Sequence, residues 1–132
     1  MNAPSPGELV RLIFAHAGRG EWDVIEPHFS DDLVIHEPAS LPYGGEWRGR
    51  DALRRLYAHV MEYWEDPEVV VEAITQGGDH AVAVLSFAMT ARSTGRRIAT
   101  HVTEVSRMEG GKLAEMRIHY FDTAALLEAL GE

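Results

Sequence analysis

Two glutamates in this chain occupy places where a carboxylate is costly. Glu37 ends the apolar run "DDLVIHEP", and Glu104 lies in the middle of "THVTEVSRM", with Val102 and Ser106 on its own face. Extended backbone sends alternate side chains to opposite faces, so Ile35 and Glu37 point one way, Val34 and His36 the other. If Ile35 packs inward, Glu37 enters the same interior, loses hydration and gains proton affinity, as a general base working near neutrality requires. The alternative is a carboxylate at the rim, solvated or paired with an arginine. Glu104 divides in the same way. Facing inward, it joins Glu37 as a second carboxyl of different acidity, one an acid and one a base. If Thr103 faces inward instead, Glu104 is a surface residue. Tyr57 and Tyr120 add hydroxyls that find partners when buried. They either donate to a developing oxyanion or bond to backbone in the core.

The seven histidines raise the question of a metal. The chain has no HExxH, no paired histidines on one helix face and no local His/carboxylate triad. His36 and Glu37 are adjacent in a strand and point oppositely, so they cannot hold one ion. No metal is expected. No cofactor is implied either, because no phosphate-cradling glycine loop is present.

These residues need elements to position them. "SPGELVRLIFAHAGRGEW" reads as a first helix, with Ser5 as N-cap, Pro6 in the first turn and Glu8 closing a capping box. "EWDVIEPHF" reads as a short second helix ended near Pro27. "DDLVIHEP" is a strand, and Pro38 keeps Glu37 extended. "GRDALRRLYAHVMEYWED" is read as the strongest helix, with Leu53, Leu56, Tyr57, Val60, Met61 and Trp64 recurring at helical spacing. Four strand-like runs follow, "EVVVEAITQ", "HAVAVLSFAMTAR", "RRIATHVTEVSRM" and "KLAEMRIHYF". They are separated by "GGD", "STG" and "EGG", which makes neighbours antiparallel. "DTAALLEAL" is a final helix. The pattern predicts one α+β domain over residues 1–132.

Composition narrows the partners. The formal charge is −9, from 21 acidic and 12 basic residues, which argues against a nucleic-acid backbone as partner. Arg48, Arg50, Arg54 and Arg55 are interrupted by Glu46 and Asp51 and read as a solvated helix face. Cysteine is absent. The N-terminal stretch lacks signal-peptide character, and no run approaches the ~20 apolar residues of a membrane span. The expectation is a soluble, cytoplasmic protein. "HAVAVLSFAMTAR" is apolar on both faces, with Ala83, Leu85, Phe87 and Met89 as the bulky set and Val82, Val84, Ser86 and Ala88 as the small set. Helices on one side of the sheet would leave the small set in water, so a homodimer through this outer face is expected.

The order of elements, together with "FSDDLVIHEPASLPYGGEWRGRDALRRLY", "VAVLSFAM" and "GGKLAEMRIHYFD", resembles the nuclear-transport-factor-2-like superfamily. This is the cone-shaped α+β fold of SnoaL-like polyketide cyclases and ketosteroid isomerase. The resemblance covers nearly the whole chain. It implies a curved, mainly antiparallel sheet with about three helices packed on one face. Carried over from the isomerase, the catalytic aspartate before the strand-ending proline corresponds to Glu37, and a tyrosine of its hydrogen-bonding network to Tyr57. The pocket-lining strand corresponds to "VAVLSFAM", with Leu85, Phe87 and Met89 inward, and the last strand puts Met116, Ile118 and Tyr120 inward. Ile13, Phe14, Met61 and Trp64 complete the implied lining. The isomerase's oxyanion-hole tyrosine falls on Ile13, which donates no hydrogen bond, and its protonated aspartate falls on Thr103 or Glu104. A literal steroid isomerase is therefore not expected.

Three functions remain open from the sequence. The first is a small enzyme moving protons on an apolar or aromatic carbonyl compound by isomerisation, cyclisation or dehydration, with Glu37, Tyr57 and Glu104 as catalytic groups. The second is a module that binds such a ligand without chemistry. The third is a protein-interaction adaptor using the outer sheet face.

Overall fold

The computed structural model describes residues 3–132. Helix α1 spans Pro6–His16 and begins as its capping box dictates. The Ser5 side chain accepts from the Glu8 backbone N–H at 3.2 Å, and the Glu8 carboxylate accepts from the Ser5 N–H at 2.9 Å. Leu9, Val10 and Ile13 form its buried stripe. A four-residue helix α2, Trp22–Ile25, leads into a tight turn at Pro27 and then strand β1, Phe29–Glu37. Strand β2, Gly45–Arg48, pairs back onto β1 where only a loop was expected. Helix α3 covers Ala52–Val60, and the long strands β3, Trp64–Gly77, β4, His80–Ala91, β5, Arg97–Glu109, and β6, Lys112–Tyr120, follow. Helix α4, Thr123–Leu130, closes the chain. Among the described residues four α-helices are formed, one more than the about three implied by the resemblance.

The six strands make one sheet in the order β2-β1-β6-β5-β4-β3. Every neighbouring pair is antiparallel except β1 and β6. That parallel pair sets the C-terminal ends of β1 and β6 side by side, bringing Glu37 and Tyr120 to the same end of the sheet. The core lies on one face, where Ile35, Ala83, Leu85, Met89, Val102 and Met116 are buried beneath α1 and its neighbours. Among the described residues, no helix is long and apolar enough to cross a membrane. The four arginines around α3 are each paired with a carboxylate, at Glu46, Asp31, Glu26 and Asp51.

One element departs from the sequence reading. The third helix stops at Val60, with Met61 as its C-cap, and Trp64 begins β3 opposite Ala91 instead of extending the helix. The helical spacing of Met61 and Trp64 continues the α3 pattern, but pairing along β4 outweighs that local preference. A bulge at Asp66, which has a φ of 51°, and Pro67 interrupts the ladder between Glu65 and Glu68 without ending the strand.

Candidate active site

The register of the sheet decides the orientation that the sequence left open. Glu104 stands between Ala83 of β4 and Ile118 of β6, both buried, whereas Thr103 stands between Val84 and His119. Glu104 therefore faces the helix-covered side and Thr103 faces away. Phe87 and Met116 lie on that same inner face, as do Leu85, Met89 and Ile118. Glu37 follows Ile35, which is opposite Met116, and points into the same space.

Glu37 is only 6% exposed. Tyr120 donates a long hydrogen bond to its Oε2 at 3.4 Å, while Oε1 is buried with no partner among the described residues. Burial pushes this carboxyl up to about 8, and the charge of Glu104 pushes in the same direction; the Tyr120 hydroxyl pulls the other way. Burial alone lifts Glu104 to about 7. Glu104 and Tyr120 are half-buried on the inner face. Two carboxyls in one apolar space therefore exchange protons in the range where a protein works. Neither has an arginine, lysine or histidine partner among the described residues.

A second tyrosine completes the cluster. Tyr43, from the loop between β1 and β2, is 1% exposed and accepts a hydrogen bond from the Trp64 indole N–H at 3.2 Å. Its hydroxyl neighbours that of Tyr120, and burial pushes it up to about 12. The loop that carries it is tight. The Leu41 N–H donates to the Pro38 carbonyl, the Gly44 N–H to the Leu41 carbonyl, and the Trp47 indole to the Tyr43 carbonyl. A Cβ at Gly44 would stand 2.2 Å from the Pro38 oxygen, so the turn has no room for one. Gly44→Ala is accordingly expected to cost about 1–3 kcal/mol of stability, read as a lower urea midpoint, because backbone must move. An unchanged midpoint would mean that the loop tolerates displacement.

The structure gathers Glu37, Glu104, Tyr120, Leu85, Phe87, Met89, Met116 and Ile118 on one face, and Trp64 joins them from β3. Ile13 is buried in the same core and half-buried Phe14 packs against it, whereas Met61, half-buried at the C-cap of α3, is not among the side chains packed on the core. Tyr57 is not brought in. It is 41% exposed and meets Trp22 edge-on at 6.0 Å, because the buried stripe of α3 runs through Ala52 and Leu56, one position around the helix. Tyr43 was not singled out in the sequence. The available signal was a pair of apolar residues, Leu41 and Tyr43, in a Pro/Gly-rich loop that would otherwise be expected to face water. Among the described residues, no group of three His, Asp or Glu side chains is placed to hold a metal ion. The groove edged by Ser30, Arg107 and Glu115 lies apart from this cluster.

Comparison with known proteins agrees with the fold. Residues 10–116 match the SnoaL-like domain family. No curated protein matches the sequence. An NTF2-like protein from Burkholderia thailandensis E264 superposes with a TM-score of 0.87 at 23% identity, covering 96% of this chain and 98% of its own. TerC, co-crystallised with polyporic acid, superposes at 0.81 with 19% identity, over 97% of this chain and 100% of that one. A putative SnoaL-like polyketide cyclase from Mesorhizobium loti gives 0.69 at 22% identity, over 89% of this chain and 100% of its own.

Proposed function

The chain belongs to the SnoaL-like domain family, and we propose that it is a cofactor-free proton-transfer enzyme acting on an apolar or aromatic carbonyl compound in its cone. One observation carries the reading: among the described residues the buried Glu37 carboxyl has no cation partner, and its Oε1 has no hydrogen bond. A structural carboxylate is ordinarily paired or hydrogen-bonded on both oxygens, because an orphaned buried oxygen costs ~1–3 kcal/mol or more. A base waiting for a substrate proton has reason to stay unpaired.

In the proposed step, ionised Glu37 takes a proton from the carbon beside the carbonyl. The C–H electron pair moves to form the enolate C=C, and the carbonyl π pair moves to its oxygen. The Tyr120 hydroxyl, which burial keeps neutral, steadies that oxygen by donating to it. Return of the proton to another carbon is isomerisation, attack by the enolate carbon on a second carbonyl is cyclisation, and loss of a β-hydroxyl is dehydration. Phe87, Met116 and Ile118 supply the apolar walls. The complex of TerC with polyporic acid supports small-molecule binding as a use of this fold.

Deuterium uptake tests the reading. A panel of small aromatic ketones incubated in D₂O is expected to gain deuterium beside the carbonyl with wild-type protein and not with Glu37→Gln. Ligands that bind but are recovered without deuterium would favour a non-catalytic binding module instead.

We further propose a homodimer through the outer sheet face. Val70, which is 58% exposed, lies opposite Ser86 and shares that face with Val82, Val84 and Ala88. Sedimentation at micromolar concentration is expected to give twice the chain mass, and Val84→Arg the monomer mass. A monomeric wild type would remove this part of the proposal.

A further inference from the structure

We propose that the carbonyl compound on which Glu37 acts carries a protonated amine, and that Glu104 is the residue that holds it. The proposal names the substrate class of the same site and rests on the reading of Glu37 as the base. Glu104 is the charged group of the cone that the proton-transfer step leaves unused. The register fixes it on the inner face between Ala83 and Ile118, both apolar and buried. It is half-buried, and among the described residues no hydrogen bond or opposite charge acts on it. Glu37 is buried on the same face, feels the charge of Glu104, and leaves Oε1 unpartnered. Two carboxyls therefore share an apolar space with no counter-charge, an arrangement that stays unfavourable until a cation joins it.

The chain itself supplies no such cation. Arg107 aside, every arginine and lysine is exposed, and Arg107 lies on the outer face, held by Glu109 and Glu115. The other titratable groups facing the two carboxyls are Tyr120 from β6 and Tyr43 from the β1–β2 loop, phenols that burial keeps neutral. The helices bury only apolar or small side chains, Leu9, Val10 and Ile13 from α1 and Ala52 and Leu56 from α3, with Leu126 from α4. A ligand ammonium meets each need. It offers three donors and no acceptor, and the rings of Phe87 and Tyr120 on the same face attract a cation. The formal charge of −9 draws cations in and turns anions away. Glu104, raised to about 7, gives up its proton before Glu37, raised to about 8, so the site carries two negative charges when the base is ready. A bound ammonium stabilises both charges and makes Glu37 easier to ionise, so the substrate itself brings the base into its active form.

Amines without a carbonyl test this by binding alone. Benzylamine, 2-phenylethylamine and 3-phenylpropylamine are each compared by calorimetry with the alcohol of the same chain length, on the full chain. At pH 8 at least one amine is expected to bind roughly ten- to a hundred-fold tighter than its alcohol. The margin should shrink toward pH 6, where Glu104 is protonated and has no charge to offer. Glu104→Gln keeps the shape of the side chain and should cut the margin to a few-fold. Amine binding at pH 7 should also release protons to the buffer, because the carboxyls ionise while the alkylammonium, like that of lysine, is already charged. Binding heats would then differ between buffers of different ionisation enthalpy, and those of the alcohols would not. This measurement uses wild-type protein, so it holds even if Glu104→Gln fails to fold. No amine preference in any pair, no proton release, or a preference that Glu104→Gln keeps, as binding to the acidic surface would, overturns the proposal. Each of those results leaves Glu37's role to be decided by deuterium uptake. A Glu104-dependent amine preference in a protein that exchanges no deuterium would keep the amine site and remove the chemistry.

Discussion

Glu37→Gln should abolish most turnover while leaving ligand affinity within a few-fold of wild type. The substitution keeps the length and shape of the side chain but removes the proton acceptor, and a positioned general base contributes ~10²–10⁴-fold. Glutamine can still donate toward a carbonyl, so the ground-state complex loses little. The pH profile carries the same information. Burial and the Glu104 charge raise the Glu37 carboxyl to about 8, so the ionised form grows as pH rises through that value, and the rate of a base-dependent step should grow with it. A wild-type rate that is flat from pH 6 to 9, or a Glu37→Gln variant of near-normal activity, would mean that another group takes the proton.

The same carboxyl should leave a large mark on stability. Its folded value, about 8, lies above the ordinary 4.5. The native state therefore holds the proton more tightly than the unfolded chain. The stabilisation is fully present below about 4.5, declines as pH rises toward 8, and is gone above it. Glu104, raised to about 7, acts in the same direction over a narrower window. At roughly 1.4 kcal/mol per unit, a shift of this kind amounts to a few kcal/mol. Urea unfolding between pH 5 and 9 should show wild-type stability falling with pH and Glu37→Gln falling less. The variant should match or exceed wild type at alkaline pH. If Glu37 were instead held by an ion pair, its replacement would destabilise the protein most at neutral and alkaline pH, the opposite trend.

The strands were the legible part of this chain because alternation reports faces directly. "HAVAVLSFAM" and "KLAEMRIHY" gave the inner sets that the sheet shows, and Glu37 followed from its parity with Ile35. Glu104 remained ambiguous, because the strand's face depends on how the "MEGGK" hairpin pairs, and only the register with Ala83 and Ile118 removes that freedom. Two misreadings share a cause. Trp64 and Tyr57 both fit the amphipathic stripe of the third helix, but tertiary pairing drew Trp64 into β3, and Leu56 took the buried direction that had been assigned to Tyr57. Tyr43 and β2 carried no period to read. Both lie in a Pro/Gly-rich stretch whose course is set by crowding at Gly44 and by the indole bond from Trp47, neither of which has a sequence signature.

The central claim, that Glu37 meets the substrate inside the cone, is tested most directly by a crystal structure with a bound aromatic ketone chosen from the deuterium-exchange panel. The expected complex has the ring against Phe87 and Met116, with the carbon to be deprotonated facing Glu37 Oε1 at about the 3–3.5 Å of a near-attack geometry. A ketone seated on the outer sheet face, or held in the cone with its reactive carbon turned away from Glu37, would contradict it.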